Sequence, residues 1–173
     1  MFYLIAIIWL VLDQVSKYYV MNHFAIGESV SVIQNVFHLT YIINRGAAFG
    51  MLTNHNFSIF SPIAKLGLSI LMLAGRLELT NQRWFFLVVA FILIIVYAIY
   101  HKKVNRGPIS LRIGSALLIS GAIGNGIDRY VLHGVVDFFD FRIWPIFNVA
   151  DIGICVGVAC IIYHLLRNEH EES

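Results

Sequence analysis

WFFLVVAFILIIVYAIY, residues 84–100, is an uncharged run of seventeen residues. Wound as an α-helix at about 1.5 Å per residue it reaches roughly 26 Å, close to the ~30 Å hydrocarbon core of a bilayer. Three further stretches read the same way, at about 1–21, 109–128 and 149–166. The composition agrees. Of the 173 residues, 59% are hydrophobic and 13% charged, against about 25% charged in a water-covered domain. A mean hydropathy of +0.78 and a net charge of only +2 exclude a disordered chain, a soluble enzyme and a polyanion-binding module. The pattern describes an integral membrane protein with four crossings.

The N-terminal MFYLIAIIWLVL (1–12) has the apolar core of a secretion signal. It lacks a basic leader and a small-residue cleavage site, and Asp13 and Lys17 follow closely, so it reads as a retained first helix. HKKVNR (101–106), the densest basic stretch, lies between the second and third spans. The positive-inside rule places that loop in the cytoplasm. Both termini are then cytoplasmic, and residues 22–83 and 129–148 face outward.

Within the first outer segment, Val30, Val32, Phe37, Leu39, Tyr41 and Ile43 alternate in part with polar residues, which predicts short half-buried strands over 25–50. VVDFFDF (135–141) has a similar pattern. The segment 55–81 reads as an insertion, because Thr53-Asn54 recurs as Thr80-Asn81 at its end. Its apolar stretch carries Pro62 and Lys65, with Arg76 and Glu78 adjacent, and a fifth crossing would move HKKVNR outside; an interfacial or re-entrant helix is the expectation. Residues 60–79 also resemble the C-terminal end of Trk/Ktr-type potassium-transporter subunits, from which no function follows. Cys155 and Cys160 stand about 140° apart around a helix, which suits two buried thiols and not a disulfide.

Ionisable groups at membrane depth cost about 2.5–3.5 kcal/mol each on insertion scales, so each needs a reason. Asp13 and Lys17 stand four apart and share a helix face, as a structural ion pair or as neighbours of a working site. In SGAIGNGIDR (120–129), Gly121, Asn125 and Asp128 form one small and polar face. Asp137 is set among Val135, Val136, Phe138 and Phe139, and Asp151 opens the fourth helix with Asn148 three residues before it as an N-cap. Asp137 and Asp151 lie at the two ends of one short outer loop. Two carboxylates brought together in low dielectric share a proton, and such a pair can activate water and protonate a leaving amine. Asp128 is the rival second acid. Arg129 follows it directly and is expected to pair with it, whereas the apolar setting of Asp137 raises its pKa for proton transfer. Histidine ligand spacing, a GxSxG elbow and a phosphate-binding glycine loop are all missing from the sequence, and Ser61 with Lys65 is the one Ser-Lys spacing.

The strings DQVSK (13–17), NRGAAFG (44–50), GAIGNGIDR (121–129), VVDF (135–138) and FNVAD (147–151) together resemble bacterial lipoprotein signal peptidase, also called signal peptidase II. The resemblance implies an all-α integral membrane fold: a four-transmembrane-helix bundle with a small outer-face β-cradle, forming one membrane-embedded peptidase domain over 1–173. It implies an aspartic endopeptidase of the bacterial cytoplasmic membrane that removes the signal peptide of diacylglyceryl-modified prolipoproteins just before the lipidated cysteine. Its partners would be that signal peptide and membrane lipid, with no nucleic acid, no metal and no cofactor, and the chain would act as a monomer. The catalytic pair maps onto Asp137 and Asp151, and supporting positions onto Asp13, Lys17, Asn44, Gly121, Asn125, Asp128, Arg129 and Asn148. The chain departs from the family pattern at 55–81. An inactive chimeric homologue or an ion or proton transporter fragment is the alternative, since intramembrane carboxylates fit a transporter as well. Gly153 and Gly157 make a GxxxG step, expected to serve packing inside the bundle rather than dimerisation.

Overall fold

The computed structural model describes residues 1–45 and 79–172. Nearly all of the 55–81 insertion, including Ser61, Lys65 and the transporter-like string, lies outside the described residues, as do the last residues of the first outer segment. Four long helices stand among the described residues: α1 (Phe2–His23), α2 (Leu79–Arg106), α3 (Ile109–Val131) and α4 (Val149–Glu172). Three strands, β1 (Ser29–Ile33), β2 (Phe37–Asn44) and β3 (Val135–Asp140), form an antiparallel sheet in the order β1-β2-β3.

Three of the four predicted crossings coincide with helices long and apolar enough to span a bilayer, Phe2–His23, Trp84–Arg106 and Val149–Arg167. The predicted third crossing, Ile109–Asp128, is helical but is not among them. Arg112, Asn125, Asp128 and a series of glycines and serines lower its hydropathy. The physical reason is its position. α3 packs against α1, α2 and α4, so its polar face meets protein instead of lipid. The outward faces of α1, α2 and α4 instead display large apolar side chains such as Leu4, Phe85, Phe91 and Leu165.

HKKVNR is not a loop. It forms the last turns of α2, where Lys103 and Arg106 face the negative end of the helix dipole. The chain then turns through Gly107 and Pro108, and Pro108 stands at the N-cap of α3 with its fixed φ of −62°.

α3 and α4 approach backbone to backbone. A Cβ at Gly157 would lie 2.7 Å from the Gly114 carbonyl oxygen, and one at Gly121 would overlap the Ala150 carbonyl. A Cβ at Gly153 would overlap the Trp9 indole, so the GxxxG step faces the interior, as expected. This close contact brings the first turn of α4 against the polar face of α3.

The sheet sits over the C-terminal end of α1, where Val20, Tyr41, Val136 and Phe138 form a buried cluster. Burial is graded across it: β1 is exposed along its length, β2 half-buried, and β3 covered on both faces. The expectation of half-buried strands holds for β2 only. β1 is an edge strand, and β3 is pinned between β2 and the bundle. Asp137 is carried into the interior because both faces of its strand are enclosed.

A side chain larger than hydrogen at Gly157 must push the two backbones apart. Gly157→Val should destabilise the protein by about 2 kcal/mol, the usual cost of overpacking, read as a lower midpoint of thermal unfolding in detergent. Ala substitution at Gly126, whose Cβ would meet only Leu87 Cδ2 at 3.8 Å, should not lower that midpoint and should raise it slightly, as a helix-interior Gly replaced by Ala does where there is room.

Candidate active site

The site begins at the N-terminus of α4, whose first amides have no partner within the helix. The Asn148 Oδ1 accepts the Asp151 N–H at 3.0 Å, and the Asp151 Oδ2 accepts the Asn148 N–H at 3.2 Å. This is a reciprocal capping box built from Asn and Asp. The amide between them, on Ala150, donates to Asp13 Oδ1 at 2.8 Å. Asp151 is therefore fixed by the same bonds that start the helix.

Asp137 reaches the same place from β3. Its side chain is 2% exposed. Oδ1 accepts from Asn148 Nδ2 at 2.6 Å, and Oδ2 accepts from Asn44 Nδ2 at 2.9 Å. Asn44 is delivered by β2, paired opposite Val135. Asn148 thus bonds both acids, Asp137 with its side-chain amide and Asp151 with its backbone N–H and side-chain oxygen. Burial pushes the Asp137 carboxyl up to about 7, helped by the charge of Asp151 and opposed by the Asn44 and Asn148 bonds and by Lys17.

Asn125 closes the arrangement from α3. Its Nδ2 donates to Asp151 Oδ1 at 2.8 Å, while its Oδ1 accepts from Asn148 Nδ2 at 3.1 Å and from Lys17 Nζ at 3.0 Å. The Lys17 ammonium, 1% exposed, also meets Asp13 Oδ2 and Asp128 Oδ2, each at 2.9 Å. The expected Asp13–Lys17 pair is present and joins α1 to α3 and α4. Asp128 is paired as well, but with Lys17 rather than Arg129, and it accepts the Val136 N–H at 3.1 Å. Sequence adjacency misled here: neighbours on a helix point about 100° apart, and the Arg129 side chain turns to the rim of the site, within electrostatic reach of Asp151, Asp137 and Asp128 but bonded to none of them through an ion pair. There it donates to the Asn125 carbonyl at 3.2 Å and lies over the Phe86 ring, 4.4 Å from its centroid.

Asp13, Lys17, Asn44, Asn125, Asp128, Asn148, Asp137 and Asp151 thus form one hydrogen-bonded network. Arg129 borders it, and Gly121 serves the α3–α4 contact. Two members went unread in the sequence. Gln14 Nε2 donates to Asp13 Oδ2 at 3.0 Å and to Asp128 Oδ1 at 3.3 Å, and Trp9 Nε1 donates to the Val149 carbonyl at 3.2 Å. Trp9 precedes Asp13 by one helical turn, a spacing that marks a shared face. Gln14 had no signal beyond its place inside DQVSK.

Removing one partner of a buried ion pair costs more than the pair contributes, because a charge is left uncompensated. Lys17→Met should lower stability by about 3 kcal/mol. Adding Asp128→Asn to it should restore part of the loss in thermal unfolding. Arg129→Gln should change the midpoint far less.

The chain is similar to known proteins over nearly its whole length. The family model described as Signal peptidase (SPase) II matches residues 5–81 and 72–167. The lipoprotein signal peptidase of Halothermothrix orenii is 37% identical over 169 residues, covering 98% of this chain and 97% of that protein. That of Clostridioides difficile is 39% identical over 169 residues, covering 96% and 95%. Two solved bacterial membrane enzymes superpose with TM-scores of 0.75 and 0.71 at 30% and 31% identity; the first covers 99% of this chain and 91% of its own, the second 95% and 92%. These matches run the length of the chain and give no support to a transporter fragment. With its apolar helices, the chain is a multi-pass membrane protein, and it belongs to the signal peptidase II family of aspartic-type peptidases.

Proposed function

We propose that the protein removes the signal peptide from diacylglyceryl-modified prolipoproteins by cutting just before the lipidated cysteine, with Asp137 and Asp151 as the catalytic pair. The observation that supports the assignment is the shared bond to Asn148: two carboxyl groups, one on β3 and one on the first turn of α4, are held by one residue. Asp128 is the weaker candidate because Lys17, Gln14 and the Val136 N–H occupy its oxygens.

In this reading α3 also crosses the bilayer, making four crossings, both termini are cytoplasmic, and the site opens at the outer face of the bacterial cytoplasmic membrane. The basic end of α2 supports that sidedness. The signal helix enters laterally, and the lipid tails stay in the bilayer. The two acids divide the labour. Asp151, at a helix N-terminus and bonded by Asn125 and the Asn148 N–H, holds the negative charge. Asp137 holds the proton.

As water attacks the scissile carbonyl, Asp151 takes its proton and Asp137 gives its own to the carbonyl oxygen, forming a gem-diol. Collapse breaks the C–N bond. One hydroxyl proton returns to Asp137, and Asp151 passes its proton to the departing nitrogen. Asn44, Asn125 and Asn148 keep the two carboxyls aimed through the cycle, and Arg129 lies at the border for a substrate carbonyl.

Asp137→Asn and Asp151→Asn should each abolish cleavage of a lipidated precursor while the protein still inserts and folds. Full activity in either variant ends the assignment. Asp137 must be protonated to act, so kcat/KM should fall as pH rises through about 7. The fall approaches tenfold per pH unit beyond it, about 1.4 kcal/mol per unit.

A further inference from the structure

The end of the sheet farthest from Asp137 gathers several exposed apolar side chains beside the polar Gln34, Asn35 and Arg142. The β1–β2 turn and the loop after β3 meet there, because His38 pairs with Asp140 and Ile33 with Phe37. The Phe37 and Phe141 rings touch, with centroids 4.9 Å apart. From this base Ile33, Val36, Ile143 and Trp144 project, with 55%, 53%, 93% and 69% of their surfaces exposed. Between Phe24 and Asn44 the sequence holds one formal charge, Glu28.

The loop is held in that pose. Arg142, at φ +66°, folds its guanidinium back onto the sheet, with Nη2 3.0 Å from Ser29 Oγ and 2.6 Å from His38 Nδ1. Its N–H donates to Asp140 Oδ1 at 2.9 Å. Bending the arginine inward leaves Ile143 and Trp144 at the tip. Phe147 then pairs with Phe139, and the span of α4 opens at Val149. The exposed tip is thus a few residues from a membrane-crossing helix.

We propose that this end of the sheet is seated in the bilayer, with Ile143 and Trp144 at the boundary between headgroups and acyl chains of the leaflet where α4 begins. The partner is phospholipid. A tryptophan beside an aliphatic residue suits that depth, since the indole N–H can stay among the headgroups while the ring is buried. Such a contact is a second membrane attachment, made by the sheet and separate from the spans. It would fix the sheet that carries Asn44 and Asp137 at the lipid surface. The inference rests on the chain crossing a bilayer and not on peptide cleavage.

The test uses the full chain with Cys155→Ala and Cys160→Ala, reconstituted in vesicles of phosphatidylethanolamine and phosphatidylglycerol. A nitroxide is attached at Ile143→Cys and, in a second protein, at Trp144→Cys. A third label at Val156→Cys, on the exposed side of α4, gives the lipid reference. Both tip labels should show an oxygen-to-nickel-complex accessibility ratio several-fold above that of free nitroxide in buffer and approaching that of the Val156 label. A ratio equal to the free label overturns the proposal by placing the tip in water. Shielding from both probes also overturns it, since protein then covers the tip.

Discussion

Asn148 offers two side-chain atoms and one backbone N–H, and between them they reach both acids and Asn125. An N-cap residue must present its oxygen to the third amide of its helix. That requirement orients the Asn148 side chain and leaves Nδ2 directed at Asp137. Helix initiation and site assembly are therefore the same event. The cap also explains why Asp151 stands where it does, because the carboxylate three residues on completes the capping box by returning to the Asn148 N–H.

Behind the cap lies a buried charge cluster. Lys17 has two carboxylate neighbours, and Gln14, Val136 and Ala150 supply neutral donors to the same two carboxylates. A cluster of this kind is weak as a source of stability, since desolvation offsets most of the Coulombic attraction. Its consequence is directional. An ammonium can only donate, so Lys17 fixes which end of the Asn125 amide faces it, and the other end is left to donate to Asp151. The glycines of α3 and α4 make this possible at short range, because only a backbone without Cβ allows the two helices to close to that separation.

Much of this was legible in the sequence for simple reasons. The spans stand out through unbroken apolar length, and the Asp13–Lys17 pair and the Asn148 cap depend on spacings of a few residues. The motif strings carried the family. What could not be read was the long-range pairing. Asp128 lies beside Arg129 in sequence but bonds to Lys17 on another helix, and no local rule selects between them. The polarity of α3 was visible, yet its central place in the packing was not, so a helix wrapped by protein read like the lipid-facing ones. HKKVNR looked like a connecting loop because charge suggests solvent, although basic side chains are also favoured at a helix C-terminus.

Cleavage by this pair requires Asp137 and Asp151 to be electrostatic neighbours with the proton on Asp137. Infrared difference spectra of the reconstituted protein, titrated from about pH 5 to about pH 9, test it directly through the carbonyl stretch of a protonated carboxyl. The band should fade with a midpoint near 7, be missing in Asp137→Asn, and persist with a lower midpoint in Asp151→Asn, where the neighbouring charge is gone. A band unaffected by Asp137→Asn, or a midpoint indifferent to Asp151→Asn, would contradict it.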